Sequence, residues 1–341
     1  MARFCATGSR HHDVAIVNDI SHPAPASHPS YPSHPARVIV VGNAAIDLTL
    51  RVDELPRAGE TSLALSTRFD FGGKGANQAV IASRAGAHVA LWAAVGNDAD
   101  GERIVVMLEQ EGIDIQHLER DTHATDMSIV TVDAYGENTI VTRNEAANAY
   151  LPDIDQLEAA TRPGDWVVLQ GNLGEAVTRD VLRHLHRGGR HTMLNPGPVR
   201  FNCVPMLHDV DVLVVNRVEA LTLTKQPDAE HAARMLCEAG TAHALVTLGS
   251  DGVIVCDRDV ATRQVAAPRA HAIDTVGAGD ALCGALVAGL ARGSTLTAAL
   301  PAAMRVAAYV VEHPGTYSSF PERADMRVLT DSLQPLQTRT S

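Results

Sequence analysis

The chain has 341 residues, 45% of them hydrophobic and 20% charged, enough to build the core of a large α/β domain and too apolar for a wholly disordered or fibrous protein. Its 40 acidic residues against 28 basic ones give a formal net charge of −12, which argues against affinity built on neutralising nucleic-acid phosphates or anionic lipid. Any phosphate it binds has to be held locally.

In chain order, the first 36 residues read as a tail. SHPAPASHPSYPSHP at 21–35 alternates Pro, His and Ser with no apolar period, and His22, His28 and His34 are taken as solvated and assigned no metal. Arg3 and Arg10 flank no continuous apolar stretch, so no signal peptide is expected, and the apolar run 281–291 is too short to span a bilayer. Cys5, Cys203, Cys237, Cys256 and Cys283 form no CxxC pair and are odd in number, which suits a reducing cytoplasm.

Regular structure is expected from Arg37, where RVIVVGNAAID gives a β-rich apolar run ended by Gly42. Strand-like runs at 88–95, 165–170, 191–195, 211–215 and 243–248 then alternate with helical spacing at 99–110, 175–187 and 228–239. Such alternation spells βαβ units, hence an α/β fold with a doubly wound, mostly parallel sheet and helices on both faces. Ligands in that architecture sit beyond the carboxyl ends of the strands. Residues 48–71 and 127–143 instead repeat with period two, and AYGEN at 134–138 supplies a hairpin turn. They predict a small β lid, within one domain over 37–329 followed by a tail over 330–341.

Three glycine-rich stretches compete for the chemistry. FGGKGANQAV at 71–80 joins a lid strand to a helix. Gly72 and Gly73 admit a ligand close to the main chain, and Lys74 and Asn77 add donors at the helix start, unless the pair is a mere turn. IDTVGAGDALCGALVAGLARG at 273–293 sets Gly277, Ala278 and Gly279 before an apolar helix. Unpaired N–H groups and the helix dipole at such a start hold a phosphoryl group without a lysine. Asp280 in the first turn is either a capping carboxylate or the group that orients an attacking hydroxyl toward the phosphorus. TLGSDG at 247–252 is a tight turn or a weak nucleotide contact through Thr247 and Gly249. The motifs GxxxxGK[ST], GxGxxG after a strand, HExxH and paired CxxC are all missing, so a Walker-type loop, a dehydrogenase and a zinc site are disfavoured. Any metal should arrive with the nucleotide.

GGKGANQA and DTVGAGD together resemble the paired signatures of the ribokinase-like, PfkB-type carbohydrate kinases. The resemblance runs from about Arg37 to Pro321 and takes in VGNDADG at 95–101, NPGP at 195–198, NRVE at 216–219 and TLGSDG, in the family's order. It implies transfer of a phosphoryl group from MgATP to a hydroxyl of a small sugar or polyol. Asp280 then resembles the family's catalytic base, and Gly277, Ala278 and Gly279 its anion hole. Asn216 and Glu219 match an element that organises magnesium and phosphate, and Thr247, Gly249 and Gly252 correspond to nucleotide contacts. Asp47, Gly72, Gly73, Lys74 and Asn77 match positions that line the sugar pocket under the lid. Asp274 resembles a ligand of a potassium-type cation, with Ser319 a second candidate. A homodimer through the lid is a further implication, and no nucleic-acid or membrane partner is expected. The sequence departs from ribokinase itself at Ala45, where that enzyme has Asn, and at Asn172, where it has Glu. Both changes remove contacts to a hydroxylated substrate, which points away from strict use of D-ribose. A nucleoside kinase of the same superfamily, or a non-catalytic sugar or nucleotide sensor on this fold, are the alternatives.

Overall fold

A computed structural model describes residues 36–331 except Gly136 and Asp259, together with Thr338–Arg339. The tail expected over 1–36, with its spaced histidines, lies up to residue 35 outside the described residues.

The chain opens with β1 (Val38–Val41), whose four β-branched residues are all buried, then β2 (Ala45–Arg51), β3 (Ser66–Gly72), α1 (Lys74–Arg84), β4 (Val89–Gly96), α2 (Ala99–Gln110) and β5 (Leu118–Asp121). It continues through β6 (Asp126–Val132), β7 (Asn138–Arg143), α3 (Glu145–Ala149), α4 (Ile154–Ala160), β8 (Trp166–Gln170), α5 (Glu175–Arg187), β9 (His191–Asn195) and β10 (Val212–Asn216). The last third holds α6 (Arg217–Thr224), α7 (Ala229–Glu238), β11 (His243–Thr247), β12 (Val253–Asp257), β13 (Arg263–Val265), α8 (Ala278–Ala291), α9 (Leu296–Val311), α10 (Arg323–Asp331) and β14 (Thr338–Arg339).

Among the described residues the main sheet runs β14-β13-β12-β11-β10-β9-β8-β1-β4-β5. The strands from β5 to β11 are parallel, as the βαβ rhythm predicts, while β12, β13 and β14 add an antiparallel end. Residues 338–339, expected in a tail, thus pair as an edge strand. Each face of the sheet carries its own core. One packs α1, α2, α8, α9 and α10, and the other packs α3 to α7. Periodicity explains the placements: α5 buries Thr178, Val181, Leu182 and Leu185 on one stripe, whereas α8 is apolar nearly all round and is buried nearly all round. Among the described residues no helix is long and apolar enough to cross a membrane.

The lid is a separate four-stranded sheet in the order β3-β2-β6-β7. The expected span 48–71 needs correction: residues 52–65 form no strand, so two strands and a long connection replace one continuous alternation. Strand order in the main sheet reverses between β1 and β8, and that reversal opens a crevice at the strands' carboxyl ends. Gly42, Gln170, Asn195 and Asn216 all lie at this rim.

Candidate active site

Helix α8 begins at the crevice. Gly277, its N-cap residue, has φ 81°, and a Cβ there would press on the Phe320 ring, so glycine is required on both counts. Ala278 N–H makes only a long turn bond of 3.4 Å to Thr275 O, and Ala281 N–H returns to Gly277 O at 2.8 Å. Among the described residues no group accepts from the N–H of Gly277, Gly279 or Asp280. Space above Gly279 is open as well. Donors are therefore aimed outward at a helix start, where the anion cradle was expected.

Asp280 stands beside that cradle, 5% exposed. It is not a cap; three side chains of α1 hold it. Asn77 Nδ2 donates to Oδ2 at 3.0 Å, Gln78 Nε2 donates to Oδ1 at 3.0 Å, and Lys74 Nζ lies 3.5 Å from Oδ1. The Asp280 carboxylate raises the Lys74 ammonium above its usual range, against the opposing effect of burial, and Glu219 adds to the rise. Lys74 and Asn77, expected as donors at a helix start, are thus turned toward the carboxylate. Helix approach makes this reach possible: a Cβ on Gly284 would lie 2.6 Å from Gln78 O and 2.8 Å from Ile81 Cβ.

On one side of α8, Thr247, Gly249, Gly252, Ala267, Met304 and Val311 are among the residues lining a cavity of about 610 Å³ that reaches Thr275, Ala278 and Gly279. The wall is mostly apolar, as suits a flat ring with a few polar contacts. Thr247, Gly249 and Gly252, expected as nucleotide contacts, line this cavity. The stretch from Ala267 to Ala272 and the α9 residues had no sequence signal, because apolar helix positions look alike whether they face a core or a ligand.

On the other side lies the lid. In register across its strands run Asp70, Asp47, Ser128 and Thr142, a polar row on one face. Asp47 is 9% exposed and packs against Gly72, while Thr316 Oγ1 donates to its Oδ2 at 2.9 Å. Burial pushes the Asp47 carboxyl up to about 6, despite the Thr316 bond. Asp70 accepts from the N–H groups of Thr316 and Ser318 and from the Ser318 hydroxyl. Asn172 is buried beyond β8. Its Nδ2 donates to Asn144 Oδ1 at 3.3 Å, and its Oδ1 has no partner among the described residues. Gly72, Gly73, Lys74 and Asn77 complete the expected group.

Two expectations acquire a different local explanation. Asn216 and Glu219 form a capping box on α6, the Asn216 side chain accepting from Glu219 N–H and the Glu219 side chain from Asn216 N–H. Glu219 Oε1 remains beside Gly197, next to the Lys74 side chain. Asp274 accepts from Val276 N–H and Gly315 N–H, tying the loop before α8 to the segment that carries Ser319. Ser319 itself is buried, and its hydroxyl donates to Thr316 O. Sequence reading missed Gln78, Gln170, Asn195, Asp70 and Thr316. Gln78 lies within the GGKGANQ motif and Asn195 opens NPGP, which were signals; Gln170, Asp70 and Thr316 carried none.

Open amides beside a held carboxylate, at the crevice of a doubly wound sheet, place the molecule among α/β enzymes that move a phosphoryl group to an alcohol. The family model described as pfkB family carbohydrate kinase matches residues 35–323, and the chain belongs to that family. It is an ATP-dependent carbohydrate kinase. Ribokinase of Mus musculus is 33% identical over 304 residues, covering 85% of this chain and 94% of the relative. Deoxyribokinase of Salmonella typhi is 30% identical over 293 residues, covering 83% and 95%. The structure of Arabidopsis thaliana ribokinase complexed with ribose and ATP superposes with a TM-score of 0.78 at 25% identity, covering 88% of this chain and 100% of the other.

Proposed function

We propose that the enzyme transfers the terminal phosphoryl group of ATP to a hydroxyl, a primary one, of a small sugar or polyol, with Asp280 as the base. One observation carries this reading: the N–H groups of Gly277, Gly279 and Asp280 have no partner among the described residues and open beside the Asp280 carboxylate. ATP enters through the cavity bounded by Thr247, Gly249 and Gly252, and the cradle receives its phosphates. The acceptor lies under the lid against Asp47, Gly72, Gly73, Lys74, Asn77 and Asn172. Asp280 orients the attacking hydroxyl and takes its proton late, as suits a loose transition state. The amides are already aimed at the charge that develops, so no reorganisation is needed at the moment of transfer.

Magnesium bound with the nucleotide would neutralise phosphate charge, and Glu219, with a free carboxylate oxygen near Lys74, is the residue we assign to organise it together with Asn216. Asp274 and the segment of Ser319 form the proposed site of an activating monovalent cation, supported by the bond that joins them.

Strict use of D-ribose is not part of the proposal. Ala45 offers no polar side chain, and Asn172 offers a neutral amide with an unpartnered oxygen. A site built without a partner for a given hydroxyl no longer selects for acceptors that carry it. Another pentose, a ketohexose, a sugar acid or a polyol is the expected acceptor. The four described cysteines are free and buried, which supports a reducing, cytoplasmic setting. A homodimer through the lid is included on the strength of its exposed apolar residues Phe69, Ile129 and Val141.

A coupled ADP-release assay over pentoses, ketohexoses, sugar acids, polyols and nucleosides tests the reading. Turnover highest with a sugar or polyol other than D-ribose is expected. Efficient use of D-ribose above all others overturns the substrate assignment, preference for nucleosides moves the enzyme to the nucleoside branch, and no release with any acceptor leaves a sensor.

A further inference from the structure

Three buried amide side chains stand behind Asp280, and their polarity is set from the backbone. Gln170 ends β8 and Asn195 ends β9, where the two are register partners. Asn195 Nδ2 donates to Val214 O at 2.9 Å. A carbonyl only accepts, so Asn195 must turn its Oδ1 the other way, toward Gln78 Nε2 at 3.4 Å. Gln170 Nε2 donates to Gln78 Oε1 at 2.9 Å. The Gln78 amide is thereby held at both ends. Turned over, it would set its nitrogen against that of Gln170 and its oxygen against a carboxylate.

Packing alone does not account for this chain. Gln78 and Gln170 are both fully buried, and Gln170 Oε1 has no partner among the described residues. A buried acceptor left without a bond is destabilising, and an apolar side chain of similar length would avoid that cost. What the amides supply and an apolar core would not is a donor of fixed direction.

We propose that Gln78 is a positioning residue for phosphoryl transfer, its amide locked by Gln170 and Asn195 so that it holds Oδ1 of Asp280 while Asn77 holds Oδ2. With both oxygens anchored, the carboxylate keeps one orientation toward the acceptor hydroxyl. The inference rests on the reading of Asp280 as the base.

The test is a double-mutant cycle on the full chain, with steady-state rates measured on whichever of D-ribose, 2-deoxy-D-ribose, D-fructose, D-gluconate and xylitol turns over fastest. A misplacement of about 1 Å at a reacting group costs about a hundredfold, so Gln78→Met should lower kcat by roughly tenfold to a hundredfold, with KM for the acceptor and the Kd for ADP nearly unchanged. Gln170→Leu touches no reacting group yet should lower kcat by about threefold to tenfold, because it frees Gln78 to turn. The double variant should be no slower than Gln78→Met. A general loss of core packing would instead make the two losses multiply, and that result, or a kcat within about twofold of the parent in Gln170→Leu or Gln78→Met, overturns the proposal. Thermal midpoints and ADP binding report whether each variant is folded, and Gln170→Leu decides alone if Gln78→Met is not. Asp280→Asn separates the two levels: if it keeps its kcat, the base assignment falls and the positioning role with it. If Asp280→Asn is slow while the glutamine variants are not, only the positioning role falls.

Discussion

Asp280 and Asp47 are both buried carboxylates on the proposed acceptor side, yet their surroundings differ. Three donors converge on Asp280, and its replacement by Asn keeps the shape while removing the basic oxygen. Its kcat should fall about 10²- to 10⁴-fold with ADP affinity retained, measured by initial rates and a binding titration. Asp47 accepts from the Thr316 hydroxyl and is raised by burial from 3.8 to about 6. A carboxyl raised in the folded state binds protons more tightly there than in the unfolded chain. Its contribution to stability is therefore full below 3.8 and is lost as pH rises through about 6. Asp47→Asn cannot ionise, so its thermal midpoint in the sugar-free protein should gain on the parent's across that window. A difference flat with pH would show that Asp47 is not buried as described. Neither environment was legible in the sequence: GAGD placed Asp280 at a helix start, but Thr316, the partner of Asp47, stands 269 residues away.

At the scale of elements, the site depends on how closely α1 and α8 approach. Gly284 lies four residues after Asp280, one helical turn along the same face. A methyl group there meets backbone oxygen and a β-branched core side chain, neither of which yields easily. Gly284→Ala should cost about 1–3 kcal/mol by overpacking and should lower kcat as well, by drawing Asn77 and Gln78 away from Asp280. Unchanged stability in a denaturant titration would mean that α1 has room to shift. The second contact between elements joins lid strand β3 to the loop before α10 through Asp70, which accepts three bonds from Thr316 and Ser318. Asp70→Ala should raise KM for the acceptor about threefold to tenfold without altering ADP affinity, since the loop also presents Thr316 to Asp47. The elements themselves were largely readable, because apolar period and turn chemistry are local. What they touch was not: the span 48–71 alternates throughout, but only β2 and the end nearest α1 found partners to pair with.

Across the whole molecule, the lid's two faces divide the labour. Asp70, Asp47, Ser128 and Thr142 form the row toward the site, and the next row is Phe69, Leu48, Ile129 and Val141. Phe69, Ile129 and Val141 are 62%, 40% and 71% exposed, an apolar strip open to water. Covering it with a second copy would explain its composition. Sedimentation of the parent should report about twice 36.2 kDa, and Phe69→Glu should bring it to the monomer. A parent that sediments as a monomer removes the lid interface from the proposal.

By itself the sequence determined the alternation of strands and helices, the lid, and the two glycine loops proposed to hold the phosphate and the acceptor, because these depend on neighbours within a few residues. The tertiary structure alone decided which strand ends meet. Parallel pairing of β8 with β9 at the reversal of strand order brings Gln170 and Asn195 behind Gln78, over separations of 92 and 117 residues. No local pattern encodes such a meeting; it follows from the order of strands in the sheet, which is settled by packing two cores at once.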